Sequence, residues 1–165
     1  MEPGMVNKAH AFAAKAHAGV FRRWSGEPYI EHPERVAARL AALGFGPEVI
    51  AAAFLHDVVE DSGVSEAELV AKFGPKVAAL VVEVSSPKVP GGKNKRVAAK
   101  LKHLAGASYE GASIKLADMI DNSANVAEHD PAFAAGYLAE MRLILPLISH
   151  GHPELVAALA ENLAK

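Results

Sequence analysis

The feature that most constrains this chain is its punctuation. Gly and Pro cut it into helix-length pieces rich in Ala, Val and Leu. Proline fixes φ and lacks an N–H, so it suits the first turn of a helix and breaks an interior. Glycine is common just past a helix end. A first helix is therefore expected over about 6–18, stopped by Gly19. A second opens at Pro33 and runs to Leu43 and the stop Gly44, and a third opens at Pro47. Ser65 and Glu68 form a capping box for a short helix to Phe73, and Pro75 opens another to about Val84. Beyond a Pro/Gly loop at 85–93, helices are expected at 94–105, 110–127, 131–148 and 153–164. Asp130-Pro131 is cap and first turn, and Pro146 a kink or stop. Period-two alternation is absent and Ala density argues against strands. The predicted fold is all-α, a single compact domain over 1–165 with eight or nine helices.

Bulk properties narrow the function classes. The formal net charge is −2, which leaves no basic footprint for nucleic acid or an anionic membrane. With no Cys, disulfides, thiolate chemistry and Cys-based zinc sites are excluded. The N-terminal Ala-rich run is broken by Lys8, His10, Lys15 and His17, unlike a signal peptide. No 18-residue apolar span is expected, so the reading is a cytoplasmic protein with no membrane and no nucleic-acid partner.

Charge is distributed unevenly. From Pro47 to Ala71 there is no Lys or Arg, while Glu48, Asp57, Glu60, Asp61, Glu66 and Glu68 are acidic. Such crowding is repulsive, and at a helix C-terminus it also opposes the macrodipole. A bound cation relieves both. In a continuous helix His56, Asp57, Glu60 and Asp61 share an arc of roughly 140°. Two of them can hold a metal while two stand over its bound water. His32 is a further ligand candidate: it precedes Pro33, which disfavours the α conformation and predicts a fixed cap at a helix entrance. Asp118 is another, following the apolar run Ile114-Lys115-Leu116-Ala117. The set His32, His56, Asp57 and Asp118, with open positions, suits manganese, iron or zinc better than calcium.

In order along the chain stand Ala16-His17-Ala18-Gly19, then Arg22-Arg23-Trp24-Ser25-Gly26-Glu27-Pro28-Tyr29-Ile30-Glu31-His32-Pro33, and Phe54-Leu55-His56-Asp57-Val58-Val59-Glu60-Asp61. Phe73-Gly74 and Ile114-Lys115-Leu116-Ala117-Asp118 with Asn122 follow. This ordered set resembles the HD-domain phosphohydrolases, and among them the hydrolase half of RelA/SpoT proteins and the free-standing small alarmone hydrolases. The resemblance implies an all-α fold, a divalent metal that is typically Mn2+, and a guanosine substrate carrying a 3′-pyrophosphate. It implies His32, His56, Asp57 and Asp118 as metal ligands. Glu60 and Asp61 take the place of the pair that positions or deprotonates the attacking water. Arg22 and Arg23 match a nucleotide-contacting basic pair, and Asn122 a substrate-contacting Asn. Lys115 is a further candidate to offset phosphate charge, with an ion pair to Asp118 as its competing role.

The chain departs from the family pattern in two places. Arg23 stands where Lys is usual, and Ala124 and Asn125 replace a basic residue and a hydroxyl or acid. These changes bear on phosphate contacts, so a second reading keeps the chemistry and changes the substrate to another nucleotide or dinucleotide phosphate. A third is a non-catalytic metal-binding helical module. At 165 residues the chain is expected to work alone, without the synthetase and regulatory domains of the long relatives. His17 is expected to make a structural hydrogen bond. Trp24 and Tyr29 either stack on a base or plug the loop into the core.

Overall fold

A computed structural model describes residues 4–165. Among them are eleven α-helices, one 3-10 turn and no β-strand; a lone antiparallel bridge pairs Phe21 with Pro28. Nine of the helices have eight residues or more, and the other two, α4 and α9, have 5 and 4. The all-α expectation holds. The chain forms two compact units, one ending at Ser85 and the other Ser86–Lys165.

The first unit contains α1 (Met5–Ala16), α2 (Glu31–Ala42), α3 (Pro47–Leu55), α4 (Val58–Ser62), α5 (Glu66–Phe73) and α6 (Pro75–Val84). Helix α3 is its centre. Every residue from Val49 to Leu55 is buried, and α1, α2 and α6 pack around it. An all-round apolar helix belongs in a core. Truncating a wholly buried side chain such as Leu55 to Ala costs about 2–5 kcal/mol. Pro47 and Pro75 open their helices as expected, and Ser65 Oγ accepts from the Glu68 N–H at 3.1 Å, closing the predicted cap.

Two expectations need correction here. Helix α2 starts at Glu31, two residues before Pro33, so His32 is a helical residue and not a cap. A proline in the third helical position removes only an N–H that has no intrahelical partner, so the start is tolerated. The acidic helix is also not continuous. Helix α3 ends at Leu55, His56 and Asp57 form a turn, and α4 begins at Val58. His56 Nδ1 lies 2.6 Å from the carbonyl oxygen of Ala53, which also takes the His56 backbone N–H at 3.5 Å. A side chain that captures a late carbonyl competes with the helical ladder and ends it. Glu60 and Asp61 consequently lie in the first turn of α4, where acidic side chains are favourable.

The second unit contains α7 (Lys93–Ala105), α8 (Tyr109–Ser123), α9 (Val126–His129), α10 (Pro131–Ile144), the 3-10 turn Leu145–Ile148 and α11 (Pro153–Leu163). Helix α8 is its core element, with ten buried residues including Ile114, Leu116, Ala117 and Asp118, and α11, α9 and the 3-10 turn lie against it. Ser108 caps α8 by accepting from the Gly111 N–H at 3.0 Å, and Asp130 caps α10 by accepting from Phe133 at 3.1 Å. The expected helix at 131–148 is α10 plus the 3-10 turn, which begins one residue before Pro146. Over Pro131–Ile148 mean hydropathy is 1.3, so one stretch is long and apolar enough to cross a membrane, contrary to the sequence expectation. In the fold that stretch packs against α7, α9 and α11, and Glu140 Oε2 pairs with Lys100 Nζ at 3.1 Å.

Candidate metal centre

Helices α2 and α3 bring His32 to the His56-Asp57 turn. His32 is fully buried and His56 nearly so, and their rings meet edge-on with centroids 5.2 Å apart. Both Nε2 atoms face one oxygen, Asp57 Oδ2: His56 Nε2 at 2.9 Å and His32 Nε2 at 3.7 Å. A ligand atom from each of the three residues lies within 4.8 Å of the others.

The donor chemistry tests whether a cation fits. Ala53 O can only accept, so His56 Nδ1 carries the proton on that side. A neutral imidazole then turns an Nε2 lone pair toward the Asp57 carboxylate, and two electron-rich atoms face each other. Only a proton or a cation between them makes that favourable. Fixing the far ring nitrogen on a backbone carbonyl is also how metal-binding histidines are commonly oriented. The residues present therefore fit a divalent metal.

Tyr29 lies behind this group. Its hydroxyl donates to Asp57 Oδ2 at 2.5 Å. The ring packs edge-on against His32 at 5.7 Å. Sequence reasoning left Tyr29 between two roles, and neither was this one. The available signal was its spacing: Tyr29 precedes His32 by three, and the His32 N–H bonds back to the Tyr29 carbonyl at 3.0 Å. Loss of hydration, then the charges of Asp57 and Glu60, push the Asp61 carboxyl up to about 6.

His17 corrects another expectation. It is 3% exposed, and neither ring nitrogen has a hydrogen-bond partner. It packs on Tyr29 with centroids 4.6 Å apart. Burial, as the largest cause, holds its pKa below the usual value.

Arg22 is 6% exposed, its guanidinium 5.1 Å from the Trp24 ring centre and its Nε 3.7 Å from Glu27 Oε1. Arg23 is exposed on the same loop. In the second unit Asp118 is buried on α8, where Lys115 Nζ reaches its Oδ2 and Asn122 Nδ2 its Oδ1, each at 3.1 Å. The two candidate substrate contacts on that helix thus hold a candidate ligand.

Residues 9–144 match the HD domain family. The chain belongs to the HD domain family. A guanosine-3′,5′-bis(diphosphate) 3′-pyrophosphohydrolase of Aquifex aeolicus is 45% identical over 80 residues, covering 48% of this chain and 11% of that protein. A probable enzyme of the same name from Mycoplasma pneumoniae is 33% identical over 133 residues, covering 74% and 18%. The chain thus spans less than a fifth of the length of these curated relatives. Among solved structures, a metazoan ortholog of SpoT, described as hydrolysing ppGpp, superposes with a TM-score of 0.89 at 27% identity over 99% of this chain and 97% of that one. A Listeria monocytogenes protein superposes at 0.70, also at 27% identity, over 85% and 98%.

Proposed function

We propose that this HD domain hydrolyses guanosine 3′-pyrophosphates to GDP or GTP and pyrophosphate. The observation that carries the reading is the approach of His32 Nε2 and His56 Nε2 to the same Asp57 oxygen. Likeness along nearly the full length of both chains to a ppGpp-hydrolysing protein supports the substrate class. The family match runs from 9 to 144, which supports one functional domain over 1–165.

In this reading His32, His56, Asp57 and Asp118 hold the metal, and manganese(II) is the proposed ion, ahead of iron or zinc. When bound, a divalent cation supplies Lewis acidity and lowers the pKa of water from about 15.7 toward ~7. Glu60 and Asp61 orient the attacking water, and one of them takes its proton. Attack falls on the phosphorus nearest the ribose 3′ oxygen. That P–O bond breaks, the 3′ oxygen takes up a proton, and pyrophosphate is released. Arg22 and Arg23 offset phosphate charge from the loop before α2. Lys115 and Asn122 line the nucleotide side while steadying Asp118. The proposed setting is the cytoplasm, with a small guanosine nucleotide as the partner and neither nucleic acid nor membrane.

The deciding experiment is incubation of purified protein with manganese(II) and a nucleotide panel. Pyrophosphate released from a 3′-pyrophosphorylated guanosine supports the proposal. Phosphate released only from other nucleotides overturns it and favours a changed substrate. No turnover with metal bound favours a metal-binding module.

A further inference from the structure

Helices α1 and α5 enclose a hollow that the metal centre does not use. Its volume is about 470 Å3, and Lys8, Ala11, Phe12 and Lys15 of α1 line it opposite Lys72 and Phe73 of α5. Lys8 and Lys15 are seven residues apart, so they stand on nearly the same side of α1, about 10 Å apart along its axis. Between them lie Phe12 and Ala11, the latter exposed and carrying only a methyl group. A short side chain between two long ones leaves the space open. Phe12 supplies a wall: its ring meets Phe73 edge-on with centroids 5.6 Å apart, and Lys72 Nζ lies 5.7 Å from the ring centre. Three ammonium groups thus surround a partly aromatic floor, and no carboxylate is among the described lining residues.

We infer that this hollow is a binding site for a compact aromatic anion. Its size falls among small-molecule sites, about 300–1,000 Å3, which combine an apolar lining with a few placed polar groups. The lysines set the sign of the ligand. Three like charges around one space repel each other, and an anion seated among them is attracted by all three. The wall and the short span set its body. A flat ring stacks on Phe12 beside Ala11, whereas the tail of a long acyl chain runs into the second lysine. Asn7 is the one amide among the described lining residues, which leaves little to read the polar edge of a nucleobase. Lys72 exchanges its place over the Phe12 ring for a charge-assisted contact with the anionic group. The inference is independent of the metal centre and of its substrate.

The test titrates the full chain with naphthoate and follows its backbone amides by NMR. The shifts should saturate as for one site and centre on residues 7–15 and 72–73. Uncharged naphthalenemethanol should bind about tenfold more weakly. Lys15→Gln with Lys72→Gln should weaken naphthoate about tenfold, while Lys15→Arg with Lys72→Arg keeps it within about threefold. Ala11→Leu fills the hollow from an exposed helical position. It should weaken naphthoate about tenfold or more and leave the thermal melt unchanged. Equal affinity for the alcohol, shifts centred elsewhere, or binding untouched by Ala11→Leu or by the Gln pair overturns the proposal. So does tighter binding of decanoate, an acidic amphipathic peptide that occupies the hollow where naphthoate does not, or self-association of the chain that Ala11→Leu abolishes. Each of these assigns the hollow a different occupant. Should Ala11→Leu melt early, the Gln and Arg pairs decide, since both lysines are exposed.

Discussion

Gly151 lies directly against Leu116: a methyl placed on Gly151 comes within 2.6 Å of Leu116 Cδ1 and 3.2 Å of the Ser113 backbone nitrogen. The turn before α11 is thereby pressed onto the buried helix that carries Asp118, and His152 donates its N–H to Ser113 Oγ at 3.0 Å. Overpacking of this kind costs about 1–3 kcal/mol. Gly151→Ala should therefore lower the melting temperature by several degrees, about 2–4 °C per kcal/mol for a chain of this size. A thermal melt unchanged within a degree would show that the contact relaxes freely.

Asp57 is the oxygen that both imidazoles face. Asp57→Ala should abolish stoichiometric metal. Changes one shell further out already cost 10–100-fold in affinity, so the loss should be about 100-fold or more. Elemental analysis after dialysis against limiting manganese(II), zinc(II) or iron(II) checks this and ranks the metals. Retention of an equivalent of metal by the variant would refute the ligand assignment.

Glu60→Gln with Asp61→Asn should keep the metal and lose turnover, about 100-fold or more for a lost general base. The pH dependence has a defined sign. In the proposed role Asp61 acts as an anion, so turnover should fall as pH drops below about 6, with the fall moved to lower pH when a cation is bound. The same shift is unfavourable to stability. The folded carboxyl holds its proton more firmly than the unfolded one at 3.8, so stability present below that value declines as pH rises through about 6. Carboxyl-carbon NMR of the metal-free protein should place the Asp61 midpoint near 6 and lower it on adding diamagnetic zinc(II). A midpoint near 3.8 without metal contradicts the crowding described above.

His17 buries an imidazole without a partner for either nitrogen. Replacing an unsatisfied buried polar group with an apolar one of similar shape is often neutral or stabilising, so His17→Phe should change stability by about −0.5 to +2 kcal/mol. Wild type should lose stability as pH falls from 6.5 through the lowered folded pKa, because the unfolded chain takes the proton first. Denaturant titrations at several pH values test both. A destabilisation of several kcal/mol in the Phe variant would reveal a polar role for this ring.

Much of the secondary structure is legible in local chemistry. The prolines at 47, 75, 131 and 153 open helices as their fixed φ requires, and Ser65 and Asp130 cap the helices they precede. Periodicity misplaces the break at His56-Asp57, because that break depends on a side chain reaching the Ala53 carbonyl. The rule for residues before proline misplaces the start of α2, because in the first turn a missing N–H is no loss. His17 shows the same limit: a structural hydrogen bond is expected there, and burial instead gives it a ring to pack against.

Sequence by itself determined the helical class, most helix starts and the residue types able to bind a cation, since backbone preference and donor chemistry are local properties. The tertiary structure alone decided that His32, 24 positions from His56, closes on the same carboxylate oxygen, and that the Tyr29 hydroxyl donates to it. Those contacts come from buried helices packing on α3, and no spacing rule in a single chain specifies which buried faces meet.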